Sequence, residues 1–158
     1  MKLIYHTPIY LNIYDLSPAN CFLYPFGLGI HHSAIEINGV EYTFAEIAGI
    51  FEITPKQSDF GEFRGSIKLG EIQMLNHDIR HEIYSLSNDF KGSNYDVALK
   101  NCNTFSNAVC EKLLKKKIPG YVNRLANIGE FFYLFFKSLS FKCKSNGKFN
   151  GSGYKLSN

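Results

Sequence analysis

After Gly70 the hydrophobic repeat of this chain changes from every second residue to every third or fourth, so strands come first and helices follow. Residues 9–16 alternate as a strand, with Ile9, Leu11 and Ile13 on one side and Tyr10, Asn12 and Tyr14 on the other. Ser17 and Pro18 break it, and a loop is expected to reach Gly27-Leu28-Gly29. Ser33, Ile35 and Ile37 form the apolar side of a second strand ending at Asn38-Gly39, a dipeptide that tolerates positive φ at both turn positions and so predicts a hairpin. Residues 40–44 make the return. Short strands are expected at 50–53, stopped by Pro55, and at 66–69, stopped by Gly70.

Beyond Gly70, Ile79, Ile83 and Leu86 mark one stripe of a helix over residues 75–88. A turn containing Gly92 leads to a second helix, 101–116, ended by Ile118-Pro119-Gly120, with Lys115, Lys116 and Lys117 placed to complement its C-terminal dipole. A third helix is expected over 122–139, then a Ser/Asn/Gly/Lys-rich tail, which divides the chain into a domain at 1–139 and a flexible tail at 140–158.

The 158 residues leave room for one domain, and 45% apolar composition is enough to build its core. Seventeen basic residues face fourteen acidic ones, and much of the excess falls after Ser140, so the domain carries no basic footprint and nucleic acid is not an expected partner. The apolar run 131–136 is far short of the roughly 20 residues a membrane span needs. Cys21, Cys102, Cys110 and Cys143 are scattered without a CxxC pair, and Lys2, His6 and Pro8 interrupt the first residues too often for a signal-peptide core. Free thiols in a reducing compartment, cytoplasmic and also nuclear, are the expectation. No metal or other cofactor is expected: His77 and His81 lie four apart on a helix but lack the glutamate of HExxH and a third ligand, so a solvated face is the simpler reading.

Cys102 stands at the predicted start of the second helix, within Lys100-Asn101-Cys102-Asn103-Thr104-Phe105-Ser106. Unpaired amides and the positive end of the helix dipole favour a thiolate there, and amides near Asn101 and Asn103 are candidates to hold an oxyanion or position the thiol. Phe105, Val109 and Leu113 follow at helical spacing, so the sulfur should point along the face that packs on the sheet. Cys110, deeper in the helix, reads as core. His32, at the opening of the second strand and on the side of Ala34 and Glu36, is the candidate general base, while His31 reads as its loop neighbour. A one-residue slip of register would exchange the two histidines.

The segments Leu11-Asn12-Ile13-Tyr14-Asp15-Leu16, Gly27-Leu28-Gly29-Ile30-His31-His32-Ser33-Ala34-Ile35-Glu36-Ile37, Gly49-Ile50-Phe51-Glu52-Ile53 and Asn101-Cys102-Asn103-Thr104-Phe105-Ser106 resemble, in order and spacing, the PPPDE (DeSI-like) peptidase family. Ile118-Pro119 and Val122-Asn123-Arg124-Leu125-Ala126 continue the likeness, which looks closer to the deubiquitinating branch than to the deSUMOylating one. The resemblance implies an α+β fold, a small antiparallel sheet packed with helices and related to a permuted papain-like core. It also implies a Cys–His dyad that carries over to Cys102 and His32. Relatives often have an aromatic residue where this chain has His31, so the match at His32 rests on Ser33-Ala34-Ile35-Glu36. The group that orients the imidazole is left open; Glu36 is about 13 Å along the strand.

The implied activity is that of a cysteine isopeptidase, or thiol protease, removing ubiquitin or a ubiquitin-like modifier such as SUMO from conjugates. Two rivals stand beside it: a protein S-acyl thioesterase using the same dyad, and a non-catalytic binder of ubiquitin-like proteins. The aromatic stretch 131–136 fits a core helix, a homodimer interface or an acyl-chain contact.

Overall fold

The computed structural model describes residues 6–26 and 28–124. Five strands, β1 (Thr7–Asp15), β2 (His31–Ile37), β3 (Val40–Ala45), β4 (Gly49–Ile53) and β5 (Glu62–Ile72), form one sheet in the order β4-β3-β2-β1-β5. Every neighbouring pair is antiparallel, which gives the α+β class and the small antiparallel sheet expected. Asn38 and Gly39 turn the β2–β3 hairpin at φ 51° and 74°, the left-handed region the dipeptide was read to supply. Among the described residues three α-helices accompany the sheet: α1 (Asn20–Leu23), α2 (Asn76–Tyr84) and α3 (Cys102–Leu114). Among the described residues no helix is long and apolar enough to cross a membrane.

The odd-numbered residues of β1 and β2 build the core. Ile9, Leu11, Ile13, Ile35 and Ile37 are buried with Phe105 and Val109 of α3 and Ile79 and Ile83 of α2. Phe44 of β3 meets Phe90, Tyr95 and Phe105 with ring centroids 5.2, 5.2 and 6.2 Å away, fixing the first turn of α3 over the sheet. Full burial of a ring like Phe105 contributes roughly 2–3 kcal/mol, so this corner is a strong anchor.

The opposite face is polar but also closed. Glu41 has no exposed surface; Tyr14 Oη donates to it at 2.7 Å, Asn12 Nδ2 at 2.6 Å and the Lys56 amide at 3.1 Å. Asn12 Nδ2 also donates to Glu36 at 2.8 Å, and the Ser66 hydroxyl donates to Asn12 Oδ1. Hydrogen bonding is what makes a buried carboxylate tolerable, and here three donors supply it.

Several boundaries differ from expectation. β5 runs through Gly70, because a bulge there places Gly70 opposite Ile9 and Lys68 opposite Tyr10. A Cβ on Gly70 would come within 2.9 Å of Leu114 Cδ2, so the glycine lets the strand pass under the last turn of α3. A second bulge opposes Gly65 to Ile13 and Phe63 to Tyr14, and leaves Arg64 unpaired between them. The loop expected after Asp15 contains α1 and a 3-10 turn, Tyr24–Phe26. Buried Asn20 clamps it, donating to Asp15 and to the Ile30 carbonyl at 2.9 Å each and accepting from the Ile30 amide at 2.8 Å. A 3-10 turn, Gly120–Asn123, occupies the expected start of the third helix. The remainder of that helix, the aromatic stretch, the tail and Cys143 lie outside the described residues.

Candidate active site

Asn101 sets the start of α3. Its extended backbone and its Oδ1, which accepts from the Asn103 and Thr104 amides at 2.9 and 3.0 Å, make a side-chain N-cap. Cys102 is therefore the first residue of the helix, as its sequence position predicts. Its thiol is 5% exposed as a residue and is approached by the backbone N–H groups of Ser33, Asn103 and Cys102 itself. Those amides pull the thiol pKa down, yet burial outweighs them and pushes it up to about 11. The helix terminus alone was expected to favour the thiolate; in the resting structure desolvation wins.

The Ser33 amide locates the sulfur relative to the sheet. Backbone N–H groups lie in the plane of a sheet, pointing to one strand edge or the other. The paired register of β2 with β3 covers Ile35, Glu36 and Ile37, whereas β1 pairs with β2 through His31. Toward its N-terminus β2 therefore has β1 on one edge and an opening toward β3 on the other, and the Ser33 amide there meets the Cys102 sulfur.

The two histidines flank this point differently. His31 is not a loop residue, contrary to expectation: it is the first residue of β2 and is 5% exposed. It shares the α3-facing side with Ser33, whose hydroxyl donates to Ser106 Oγ at 2.9 Å. Its ring leans toward β1, with Nδ1 3.1 Å from Asp15 Oδ1, and lies parallel to Tyr24 at 6.0 Å between centroids. Burial lowers its pKa against the raising influence of Asp15. A Cβ on Gly29 would fall on Nε2 and Cε1 of this ring, so only glycine leaves the ring its place.

His32 is 4% exposed and on the polar face with Ala34 and Glu36, as the alternation predicts. Its ring reaches the other way: Nε2 is 3.1 Å from Thr43 Oγ1, so the imidazole lies toward β3 on the polar face of the sheet. Phe60 stacks over it at 5.0 Å and Tyr14 tilts against it at 5.7 Å. Burial among these rings lowers its pKa to about 4, so the imidazole is neutral across the physiological range.

Neither asparagine candidate presents a free donor for an oxyanion. Asn101 Nδ2 donates to the Val97 carbonyl at 2.8 Å, and its Oδ1 is occupied by the cap. Asn103 Nδ2 donates to the His31 carbonyl at 3.0 Å and the Val122 carbonyl at 3.3 Å, tying β2 and the turn at Gly120–Asn123 to α3. Both side chains are thus engaged in holding the start of α3 to the segments around it. The Asn103 amide is likewise shared with the cap. Glu36 contacts Asn12 and Lys56, in keeping with its expected distance from the imidazole. Cys110 is fully buried core, and His77 and His81 lie on an exposed helix face. Thr43, Asp15 and Phe60 carry no sequence signal that links them to the histidines: strand register brings Thr43 and Asp15 there, and the loop after β4 brings Phe60.

A neutral thiol at a helix N-terminus and a neutral imidazole on β2 are the residue types of a cysteine nucleophile and its base. Comparison with known proteins agrees in class. The sequence model of the PPPDE peptidase domain matches residues 7–140. A DeSI-like protein of Arabidopsis thaliana is 43% identical over 129 residues, covering 79% of this chain and 58% of the relative. The Desumoylating isopeptidase 1 homolog of Caenorhabditis elegans is 41% identical over 130 residues, covering 77% and 39%. Desumoylating isopeptidase 1 of Rattus norvegicus is 32% identical over 125 residues, covering 75% and 74%. The chain thus spans under two thirds of the first two relatives' length. With its strand and helix order, its paired histidine and cysteine segments and these identities, the chain belongs to the PPPDE (DeSI-like) peptidase family.

Proposed function

We propose that this chain is a cysteine isopeptidase that removes a ubiquitin-like modifier from protein conjugates, with Cys102 as nucleophile and His32 as general base. The observation that carries the reading is the contact of the sulfur with the backbone N–H of Ser33, the residue that follows His32 in β2, whose ring turns to Thr43. His31 is the weaker candidate because its ring turns to the β1 side, onto Asp15.

In the reaction, the unprotonated His32 takes the Cys102 proton as the sulfur bonds to the carbonyl carbon of the scissile amide. The oxyanion that forms is stabilised by the backbone N–H of Cys102 at the positive end of α3. The imidazolium returns the proton to the departing lysine amine as the carbon–nitrogen bond breaks, leaving a thioester. Water, deprotonated by the same imidazole, attacks that thioester and frees the modifier's carboxylate and the thiol. Since burial holds both partners neutral at rest, the ion pair forms only with substrate in the opening. An approach this enclosed suits a diglycine tail, which has no side chains to exclude.

The names of the relatives above favour SUMO as the modifier, and ubiquitin is the second candidate from the sequence likeness. The test is cleavage of SUMO and ubiquitin carrying a C-terminal lysine-linked fluorophore by the wild type, Cys102→Ala and His32→Ala. Turnover of at least one modifier, lost in both variants with the fold intact, is expected. Activity retained by Cys102→Ala sinks the reading; activity on an S-acyl substrate alone transfers it to the thioesterase alternative.

A further inference from the structure

A general base needs one bare nitrogen, and an imidazole has two, so something must decide which carries the proton in the neutral ring. The hydrogen bond made by the other nitrogen usually decides it. In this site the polar face supplies only a few candidates: His32 is surrounded by Tyr14, Phe60 and Thr43, and of these the Tyr14 hydroxyl is committed to Glu41 at 2.7 and 2.8 Å while Phe60 has no polar atom. Thr43 remains. Its residue is fully buried, its Oγ1 is 3.1 Å from His32 Nε2, and it makes no other side-chain hydrogen bond among the described residues.

We propose that Thr43 is the positioning residue of this site: its Oγ1 accepts the Nε2–H of His32, holding the ring across the β2–β3 opening in the tautomer whose Nδ1 is bare and faces Cys102. This inference rests on His32 being the base. Two facts support it. Nδ1 is the ring nitrogen bonded to Cγ and so the nearer one to the strand's own backbone, and the sulfur sits on the backbone amide of the very next residue, Ser33. Nε2, at the far end of the ring, is turned to Thr43 on β3. The opposite polarity, with the Thr43 hydroxyl donating to Nε2, would move the ring proton to Nδ1 and leave the sulfur facing a donor, which cannot take its proton.

The test uses the intact chain labelled with 15N-histidine, its ring nitrogens read by long-range 1H–15N spectroscopy, alongside kinetics on a diglycine-linked modifier substrate. Wild type is expected to show His32 as the Nε2–H tautomer. Thr43→Val, which keeps the shape and removes the acceptor, should mix the tautomers and lower kcat about tenfold, the factor one net hydrogen bond is worth, with KM unchanged. Thr43→Ser should restore both tautomer and rate. An Nδ1–H signal in the wild type overturns the proposal, and that spectrum decides even if Thr43→Val does not fold. An unchanged spectrum and kcat in folded Thr43→Val overturn it too. His32→Ala separates the two failures: if that variant remains active the base assignment itself is wrong, whereas a dead His32→Ala with an indifferent Thr43→Val removes Thr43 alone.

Discussion

Burial of an imidazole has a thermodynamic consequence that can be read without any substrate. His32 has its pKa lowered from 6.5 to about 4 because its ring is enclosed by Phe60, Tyr14 and β3. Between those two values the unfolded chain binds a proton at this site that the native chain does not, so stability is complete above pH 6.5 and is lost as pH falls toward 4. Going from pH 7 to pH 5, the loss from this one residue is about 2 kcal/mol, given 1.36 kcal/mol per unit of pKa difference. That is a sizeable fraction of a domain's total stability. The assay is urea unfolding of the wild type and of His32→Gln at both pH values. His31 also titrates low for reasons of burial, but it contributes equally to both proteins and cancels in the comparison. The wild type should lose about 2 kcal/mol more than His32→Gln over that interval. Equal losses would mean that the ring is solvated in the native protein, against its enclosure by Phe60, Tyr14 and Thr43.

Other consequences follow from the same geometry. With the Cys102 thiol pushed up to about 11, its thiolate fraction at pH 7.5 is about two orders of magnitude below that of an ordinary cysteine, so peptide mapping after brief iodoacetamide treatment should find exposed Cys21 alkylated and Cys102 spared. Asn101→Ala removes the acceptor of two helix amides and should cost about 1 kcal/mol in thermal or urea unfolding, while Asn101→Asp, an equally good cap, should retain most of it. Glu41→Ala leaves the Tyr14 hydroxyl, the Asn12 amide and the Lys56 N–H without their buried acceptor and should destabilise the fold by about 3 kcal/mol or more; a loss under about 1 kcal/mol would show that the polar face is open to water.

What the sequence disclosed follows from the range of the forces involved. Local signals were readable: the period-2 strands, the Asn38-Gly39 hairpin and the start of α3 at Cys102 all depend on neighbours within a few residues. The strand face of His32 followed from alternation alone. The partner of each histidine did not, because Asp15, Thr43 and Phe60 are joined to them only by cross-strand register and by the loop after β4. The same limit explains β5. Gly70 reads as a terminator in isolation, and only the packing of Leu114 against it shows why a glycine continues a strand there. The thiol pKa shows a conflict between levels: the helix terminus, visible in sequence, lowers it, but burial, a property of the whole fold, is larger. The asparagine cap illustrates a further point, since the same residue type that could hold an oxyanion is consumed by the helix it starts.

In the proposed reaction a sulfur at the head of α3 attacks the C-terminal carbonyl of a ubiquitin-like protein with help from an imidazole on β2. Its most direct measurement is mass-mapped adduct formation with SUMO and ubiquitin bearing a C-terminal vinyl ester, using the wild type, Cys102→Ser and His32→Gln. A covalent adduct is expected on the Cys102 peptide, absent in Cys102→Ser and at least tenfold slower in His32→Gln. Adducts confined to Cys21, or labelling of Cys102 at an unchanged rate when His32 is replaced, would contradict it.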